Sequence, residues 1–175
     1  LAAAHLIRGN SDAVAEYIYA TLNHGTPLYT WCEERGGEAG SDKCSGDMQH
    51  LWTPVSVLRA LRDAMVVEEG KCLCLAKGAS RSWLGNGEEV GVKDAPTHFG
   101  RISYSIKYDE SSSKVTGTLT LPDEAEMNCV KLYIRLPKGL KVTSTDKESG
   151  AEIFEGGLGL KWKKPVGKIS FTAEL

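Results

Sequence analysis

The sequence predicts an α+β protein in which a short N-terminal helical segment, residues 1–70, is followed by an antiparallel β-sandwich domain, residues 71–175. Three observations predict this class. Before residue 70, apolar residues recur with the 3.6-residue period of an amphipathic helix. After residue 70 they alternate with polar residues, as in half-buried strands. Turn residues then separate the alternating segments at short intervals, which is typical of a sandwich.

Two or three helices are predicted in the first segment, and two of them have clear sequence signals. The first covers residues 11–22, where Ser11 can cap the first turn. Its apolar stripe consists of Val14, Ile18 and Leu22. The second helix begins at Thr53-Pro54, an N-cap followed by proline at the first helical position. Its apolar face consists of Val57, Leu58, Leu61 and Met65. Each stripe has to be covered, and we expect other helices to cover it in an intact protein.

The two helices are separated by a long polar loop at about residues 26–50, rich in glycine and charge. A loop of this length is unusual in a compact domain unless it is functional or disordered.

Nine short segments after residue 70 alternate between apolar and polar residues and are predicted strands. They cover residues 71–76, 89–92, 101–108, 114–121, 130–136, 140–145, 152–154, 158–161 and 168–173. The clearest predicted hairpin joins 101–108 to 114–121.

Charge and hydropathy exclude two classes of partner. The net charge is −2 and basic residues are mixed with acidic ones along the chain, so no basic stripe is available for nucleic acid. No apolar run approaches the roughly 20 residues that cross a bilayer. Residues 1–8 lack the basic and apolar regions of a signal peptide. We therefore expect a soluble protein with neither nucleic acid nor membrane as partner.

The chain has five cysteines, an odd number. Most are expected to be reduced, although a Cys32–Cys44 bridge across their loop is an open alternative. Cys72 and Cys74 form a C-x-C motif, but no second Cys/His pair stands at zinc spacing. No metal and no cofactor are predicted.

Residues 45–100 contain an ordered series of motifs. Gly46-Asp-Met-Gln-His50 precedes the helix start Trp52-Thr-Pro54, and Ser82-Trp-Leu84 and Asp94-Ala-Pro-Thr-His-Phe-Gly100 follow. This series resembles the last helical hairpin and exit segment of bacterial six-hairpin, (α/α)6-toroid glycosidases. The resemblance implies a carbohydrate-active parent enzyme, whose catalytic helices precede this chain and are its partner. The two or three helices predicted here cannot form a toroid, so this chain alone is expected to have little or no hydrolytic activity.

Aromatic and acidic residues stand together in the loop, a combination used in sugar recognition. Trp31 lies two positions before Glu33, and the toroid resemblance implies that this loop and residues 46–50 lie at the rim of the sugar site. The predicted substrate contacts in the helical segment are Trp31, Glu33, Asp47 and His50. Sequence spacing does not give the distance between two carboxyl groups on which glycoside hydrolysis depends, so no catalytic residue is assigned. The alternative is that these are solvated, turn-capping or surface residues.

Trp162, between lysines in Leu160-Lys-Trp-Lys-Lys164, is the predicted exposed aromatic residue of the β domain. If it stacks on sugar rings, the chain is a non-catalytic carbohydrate-binding module, and a protein-interaction module is a related alternative. Alternation equally places such aromatic residues in the core. A further alternative is a structural domain that forms a homodimer through its exposed helix stripes.

Overall fold

The computed structural model describes residues 1–26, 28–38, 41–124 and 126–175. Its helical part contains α1 (Ala2–Ile7), α2 (Ser11–Asn23), β1 (Glu34–Arg35), β2 (Cys44–Ser45) and α3 (Trp52–Met65). The strands that follow are β3 (Val66–Glu69), β4 (Cys72–Leu75), β5 (Glu89–Thr97), β6 (Gly100–Asp109), β7 (Lys114–Thr120), β8 (Cys129–Tyr133), β9 (Ser144–Thr145), β10 (Glu152–Phe154), β11 (Gly159–Lys163) and β12 (Lys168–Glu174). The predicted α+β class is confirmed.

The strands after α3 form two five-stranded sheets. The first has the order β10-β11-β8-β4-β3 and the second the order β5-β6-β7-β12-β9. One hydrophobic core joins their inner faces, and its buried members include Leu73, Leu132 and Leu160 from the first sheet and Ile106, Leu119 and Phe171 from the second. The sheets therefore pack as a β-sandwich.

The pairing is antiparallel throughout both sheets except between β4 and β8, which run parallel. Parallel neighbours need a long connection. Here the connection contains β5, β6 and β7 of the opposite sheet. The sandwich is antiparallel, as predicted, apart from this one parallel strand pair.

The parallel pairing also explains a disulfide that was not expected. It places Cys72 opposite Cys129 with 4.7 Å between their Cα atoms, and the two form a disulfide. Cys32, Cys44 and Cys74 are free, as expected for most of the cysteines. The bonded pair is separated by 57 residues, so local spacing gives no sign of it.

Each of the nine predicted strand segments overlaps one strand of the series β4–β12. Strand β3 was not predicted. The apolar pattern of the preceding helix continues into Val66 and Val67, so these residues were placed in the helical segment. These β-branched residues pair with Leu75 and Cys74 of β4. The turn between β3 and β4 contains Gly70, where the predicted segment boundary lies.

The helices contact one another through a small apolar cluster made of Leu6, Val14, Ile18 and Ala64. The predicted apolar face of α3 does not point into it, since Leu58 and Leu61 are 66% and 38% exposed. The buried side of α3 is formed by small residues that allow close approach. A Cβ on Gly78 would lie 2.9 Å from Val14 Cγ1 and 3.0 Å from Ala64 Cα. None of the helices in the described residues is long and apolar enough to cross a membrane.

A polar network attaches α2 to the sandwich. Asp12 Oδ1 accepts a hydrogen bond from Arg81 Nε at 2.9 Å and also pairs with the buried guanidinium of Arg135. Arg81 Nη1 donates to Leu136 O at 2.7 Å. Burial alone would raise the pKa of Asp12, but the two arginines outweigh it and hold the pKa below its ordinary value. The helical part is thus fixed to the end of β8.

Candidate functional site

A hairpin built on β1 and β2 brings four of the five predicted contact residues together. Glu34 pairs with Ser45, and Arg35 pairs with Cys44. The pairing continues beyond the strands: Glu33 N donates to Asp47 O, and His50 N donates to Trp31 O, both at 2.8 Å. We call this unit, with Trp31 and His50 as its outermost pair, the β1–β2 hairpin.

The hairpin is attached to the C-terminal end of α2. Trp31 Nε1 donates to Thr21 O at 2.9 Å, and Arg35 Nη1 donates to His24 O at 3.0 Å. The last carbonyl groups of a helix have no partner within the helix and need donors from elsewhere. Trp31 and Arg35 supply these donors, so the position of the hairpin follows from the way α2 ends.

The two predicted carboxylates take part in the hairpin backbone. Asp47 Oδ1 accepts from Gln49 N at 3.0 Å, an Asx turn, and Glu33 Oε2 faces Asp47 N at 3.4 Å. Gly46 adopts φ +73°, and a Cβ there would lie 2.3 Å from Glu33 Oε2. Both carboxylates remain exposed and keep acceptor positions free for a ligand.

An exposed aromatic surface lies next to these groups. The ring of His50 stands edge-on to Trp52, with 5.4 Å between centroids, and Trp52 is 78% exposed. In the sequence, Trp52 marks only the start of a helix. The packing of α3 on its small residues shows that Trp52 faces solvent.

A cleft of about 330 Å³ opens between the end of α2 and the hairpin. Its polar and aromatic lining includes Thr21, His24, Trp31, Glu33, Arg35 and Thr53. Asp47 and His50 lie outside this lining, so the structure places the four contact residues on one hairpin but not all in one cleft. In the described part of the chain, no group of three His, Cys, Asp or Glu side chains is arranged to hold a metal ion.

The fifth predicted residue, Trp162, is not on the surface. It is 3% exposed, its Nε1 donates to Ser149 O at 2.8 Å, and its ring centroid lies 5.6 Å from that of Phe171. The prediction of an exposed, sugar-stacking Trp162 is therefore wrong. Lys163 is exposed and Lys161 is half-buried, while Trp162 shares the inward face with Leu160, as period-2 alternation requires.

A larger, apolar groove of about 520 Å³ lies between α3 and β5, away from the hairpin. Its lining includes Leu58, Leu61, Met65, Trp83, Val90 and Val92. It continues the exposed side of α3, where Leu51, Trp52 and Val55 are 61–78% exposed. Such a contiguous apolar surface is typical of an interaction site and not of a polar substrate site.

Comparison of the chain with protein-family models, with curated proteins and with solved structures finds no match.

Proposed function

We propose that the chain is the C-terminal part of a carbohydrate-active enzyme of the six-hairpin glycoside hydrolase type. In this proposal the β-sandwich supports the catalytic helices, and the β1–β2 hairpin contributes to the sugar site. The observation that carries it is the position of Trp31, Glu33, Asp47 and His50 on one hairpin, next to the exposed Trp52.

The chemistry of these groups suits a saccharide. A sugar ring has apolar faces that pack on aromatic rings and hydroxyl groups that donate to carboxylates. Trp52 offers an exposed ring, and Glu33 and Asp47 offer exposed carboxylates on neighbouring segments of backbone. The cleft beside Trp31 supplies the concave surface that ligand sites need.

Binding, and not hydrolysis, is the activity proposed for the chain alone. Glycoside hydrolysis needs two carboxyl groups, one of them kept protonated by its surroundings. Glu33 and Asp47 are both exposed, and each contacts a backbone N–H group of the hairpin. We therefore assign them to substrate contact, with the catalytic carboxyl groups on the parent's other helices.

The outer face of α3 supports the proposed contact with those helices. Leu51, Val55 and Leu58 are 61–74% exposed and follow one another at helical spacing beside the apolar groove. A helix with an uncovered apolar stripe is stabilised when another helix packs against it.

A protein-interaction module is the second candidate, and the same face of α3 favours it. Helices α1–α3 already share a small core of their own, so they do not need a toroid to hold together. Under this alternative the exposed stripe binds another protein or a second copy of the chain. Light scattering coupled to size-exclusion chromatography distinguishes a homodimer from a monomer.

A thermal-shift screen of the chain against plant and host saccharides tests the proposal. A ligand that binds only the folded state adds about 2.7 kcal/mol of stability at 100 times its Kd. We expect at least one saccharide to raise the melting temperature of the wild type, and Asp47→Asn and Glu33→Gln to reduce the shift.

Glu34→Gln is the matched control. Glu34 is an exposed carboxylate in the same hairpin, but it accepts from Ser45 Oγ at 2.7 Å within the β1–β2 pair. The Glu34→Gln substitution should therefore leave the saccharide-induced shift in melting temperature unchanged. A shift that survives Asp47→Asn and Glu33→Gln would move the sugar site elsewhere, and no shift with any saccharide would favour the interaction module.

A further inference from the structure

Strand β5 has a free edge. It is the first strand of the second sheet and pairs with β6 alone in the described part of the chain. In an antiparallel pair, successive residues of a strand turn their N–H and C=O groups alternately toward the partner strand and away from it. Alternate residues of β5 therefore present backbone donors and acceptors on the side away from β6. Such an edge is a template for pairing with another strand.

Only the first half of this edge is open. The register between β5 and β6 shifts between Val92 and Ala95, which marks a β-bulge. Further along, Pro96 has no backbone N–H, and its carbonyl accepts a hydrogen bond from Arg62 Nη2 of α3 at 3.1 Å. Bulges and prolines protect the edges of sheets from pairing. The stretch left for another strand is residues 89–93.

This open stretch has opposite charges on one face and apolar side chains on the other. Glu89 and Lys93 are exposed and lie on the outer face of the sheet, on either side of Gly91. Neither forms a salt bridge within the described residues. Val90 and Val92 lie on the inner face, where they pack with the core and line the apolar groove beside α3.

We propose that a second copy of the chain pairs with this edge, antiparallel, about a two-fold axis at Gly91. In a two-fold interface, the contact that one residue makes with another is repeated by symmetry. Glu89 of each copy then lies opposite Lys93 of the other copy, and Val90 lies opposite Val92. Directly opposed residues of an antiparallel pair share a face and stabilise the pair when their charges are opposite. The stretch is therefore complementary to itself in both charge and hydrophobicity.

The proposed pairing produces a closed dimer. The two five-stranded sheets join into one sheet of ten strands, and both copies use their β5 edge in doing so. The strand at the other edge, β9, has only two residues and offers little for further pairing. The contact uses the edge of β5 and requires neither a saccharide nor the β1–β2 hairpin, so it is independent of the proposed function.

Sedimentation equilibrium of the whole chain at low ionic strength tests the proposal. We expect a reversible equilibrium between monomer and dimer. Glu89→Lys and Lys93→Glu each place like charges opposite each other at both ends of the seam, so each should weaken dimerisation by about tenfold or more. Both side chains are exposed, so the folded monomer should tolerate either change.

The double variant Glu89→Lys/Lys93→Glu restores opposite charges across the seam and should recover the dimerisation of the wild type. Glu148→Lys is the matched control for a single change of charge. Glu148 is exposed between β9 and β10, away from the β5 edge, and its replacement should leave dimerisation unchanged.

Amide hydrogen exchange, compared at low and high protein concentration, gives a measurement that needs no variant. Exchange within residues 89–92 should slow as the concentration rises. A chain that remains monomeric at about 1 mM, where weak pairing is already populated, would overturn the proposal. A dimer that resists both single substitutions, or that the double variant does not recover, would also overturn it, because its contact would then lie elsewhere.

Discussion

Removal of the Asp12 carboxylate should detach the helical part from the sandwich more than any other single surface substitution in α2. Arg135 is 8% exposed, and Asp12 and the carbonyl of Ala79 are its partners among the described residues. Asp12→Ala leaves this buried guanidinium without a counter-charge. Breaking a buried pair in this way costs about 3–5 kcal/mol. The Asp12 side chain is 53% exposed, so screening by solvent reduces the expected cost to about 2 kcal/mol.

A loss of this size lowers the melting temperature of a protein of this length by about 4–8 °C. Differential scanning calorimetry of Asp12→Ala measures it, with Glu16→Ala as the matched control. Glu16 lies one turn further along α2, is exposed and has no ion pair in the described residues. If Asp12→Ala lowers the melting temperature no more than Glu16→Ala, the Asp12–Arg135 pair does not stabilise the attachment of α2.

The same pair predicts a pH dependence. The pKa of Asp12 is lower in the folded chain than in the unfolded chain, so the stabilisation is complete above the unfolded pKa of about 3.9. It is lost as the pH falls through the lower, folded value. The difference in unfolding free energy between wild type and Asp12→Ala should be constant near neutral pH and shrink below about pH 4.

Three further predictions concern the hairpin, the disulfide and the exposed helix. Gly46→Ala, which introduces strain at φ +73° and a contact with Glu33, should lower stability by about 1 kcal/mol in urea unfolding and weaken any saccharide binding; equal stability would show that the hairpin tolerates the change. Reduction of the Cys72–Cys129 disulfide should lower the free energy of unfolding by about 4 kcal/mol, because the disulfide closes a loop with a sequence separation of 57. An unchanged free energy of unfolding after complete reduction would contradict this. Leu58→Glu should leave the melting temperature within about 1 °C, because the side chain is 66% exposed, but should weaken any association through α3; a large fall in melting temperature would show that the side chain is part of the core.

The sandwich was largely predictable because strand periodicity is local. Alternation identified all nine segments that became β4–β12, and it would also have placed Trp162 beside Leu160 on the inner face. The flanking lysines led to the opposite prediction for Trp162. The alternation along the strand therefore predicts the position of Trp162 better than the charge of its immediate neighbours does.

Features that depend on long-range packing were not predictable from the sequence. The disulfide required β4 to run parallel to β8, which no local pattern specifies. The exposure of Leu58 required α3 to pack through Ala64 instead of its larger residues, because close approach to Gly78 favours the small side. Trp52 faces solvent for the same reason, and it was missed as a candidate contact.

The β1–β2 hairpin was predictable from the sequence only in part. Its residue types predicted contact residues, and the structure brought Trp31, Glu33, Asp47 and His50 onto one unit. A hydrogen bond from Trp31 Nε1 to Thr21 O attaches this unit to the end of α2. Sequence spacing contains no information about that hydrogen bond.

The most direct test of a saccharide site on the hairpin is a saccharide titration followed by the indole N–H signals in nitrogen–proton NMR spectra. The chain has four tryptophans, and three of them report on separate places in the fold. Trp31 is tied to the end of α2, Trp52 is exposed beside His50, and Trp162 is buried in the core. We expect the Trp31 and Trp52 signals to shift on binding and the Trp162 signal to stay in place. Shifts confined to Trp162, or no shift with any saccharide tested, would contradict a saccharide site on the hairpin.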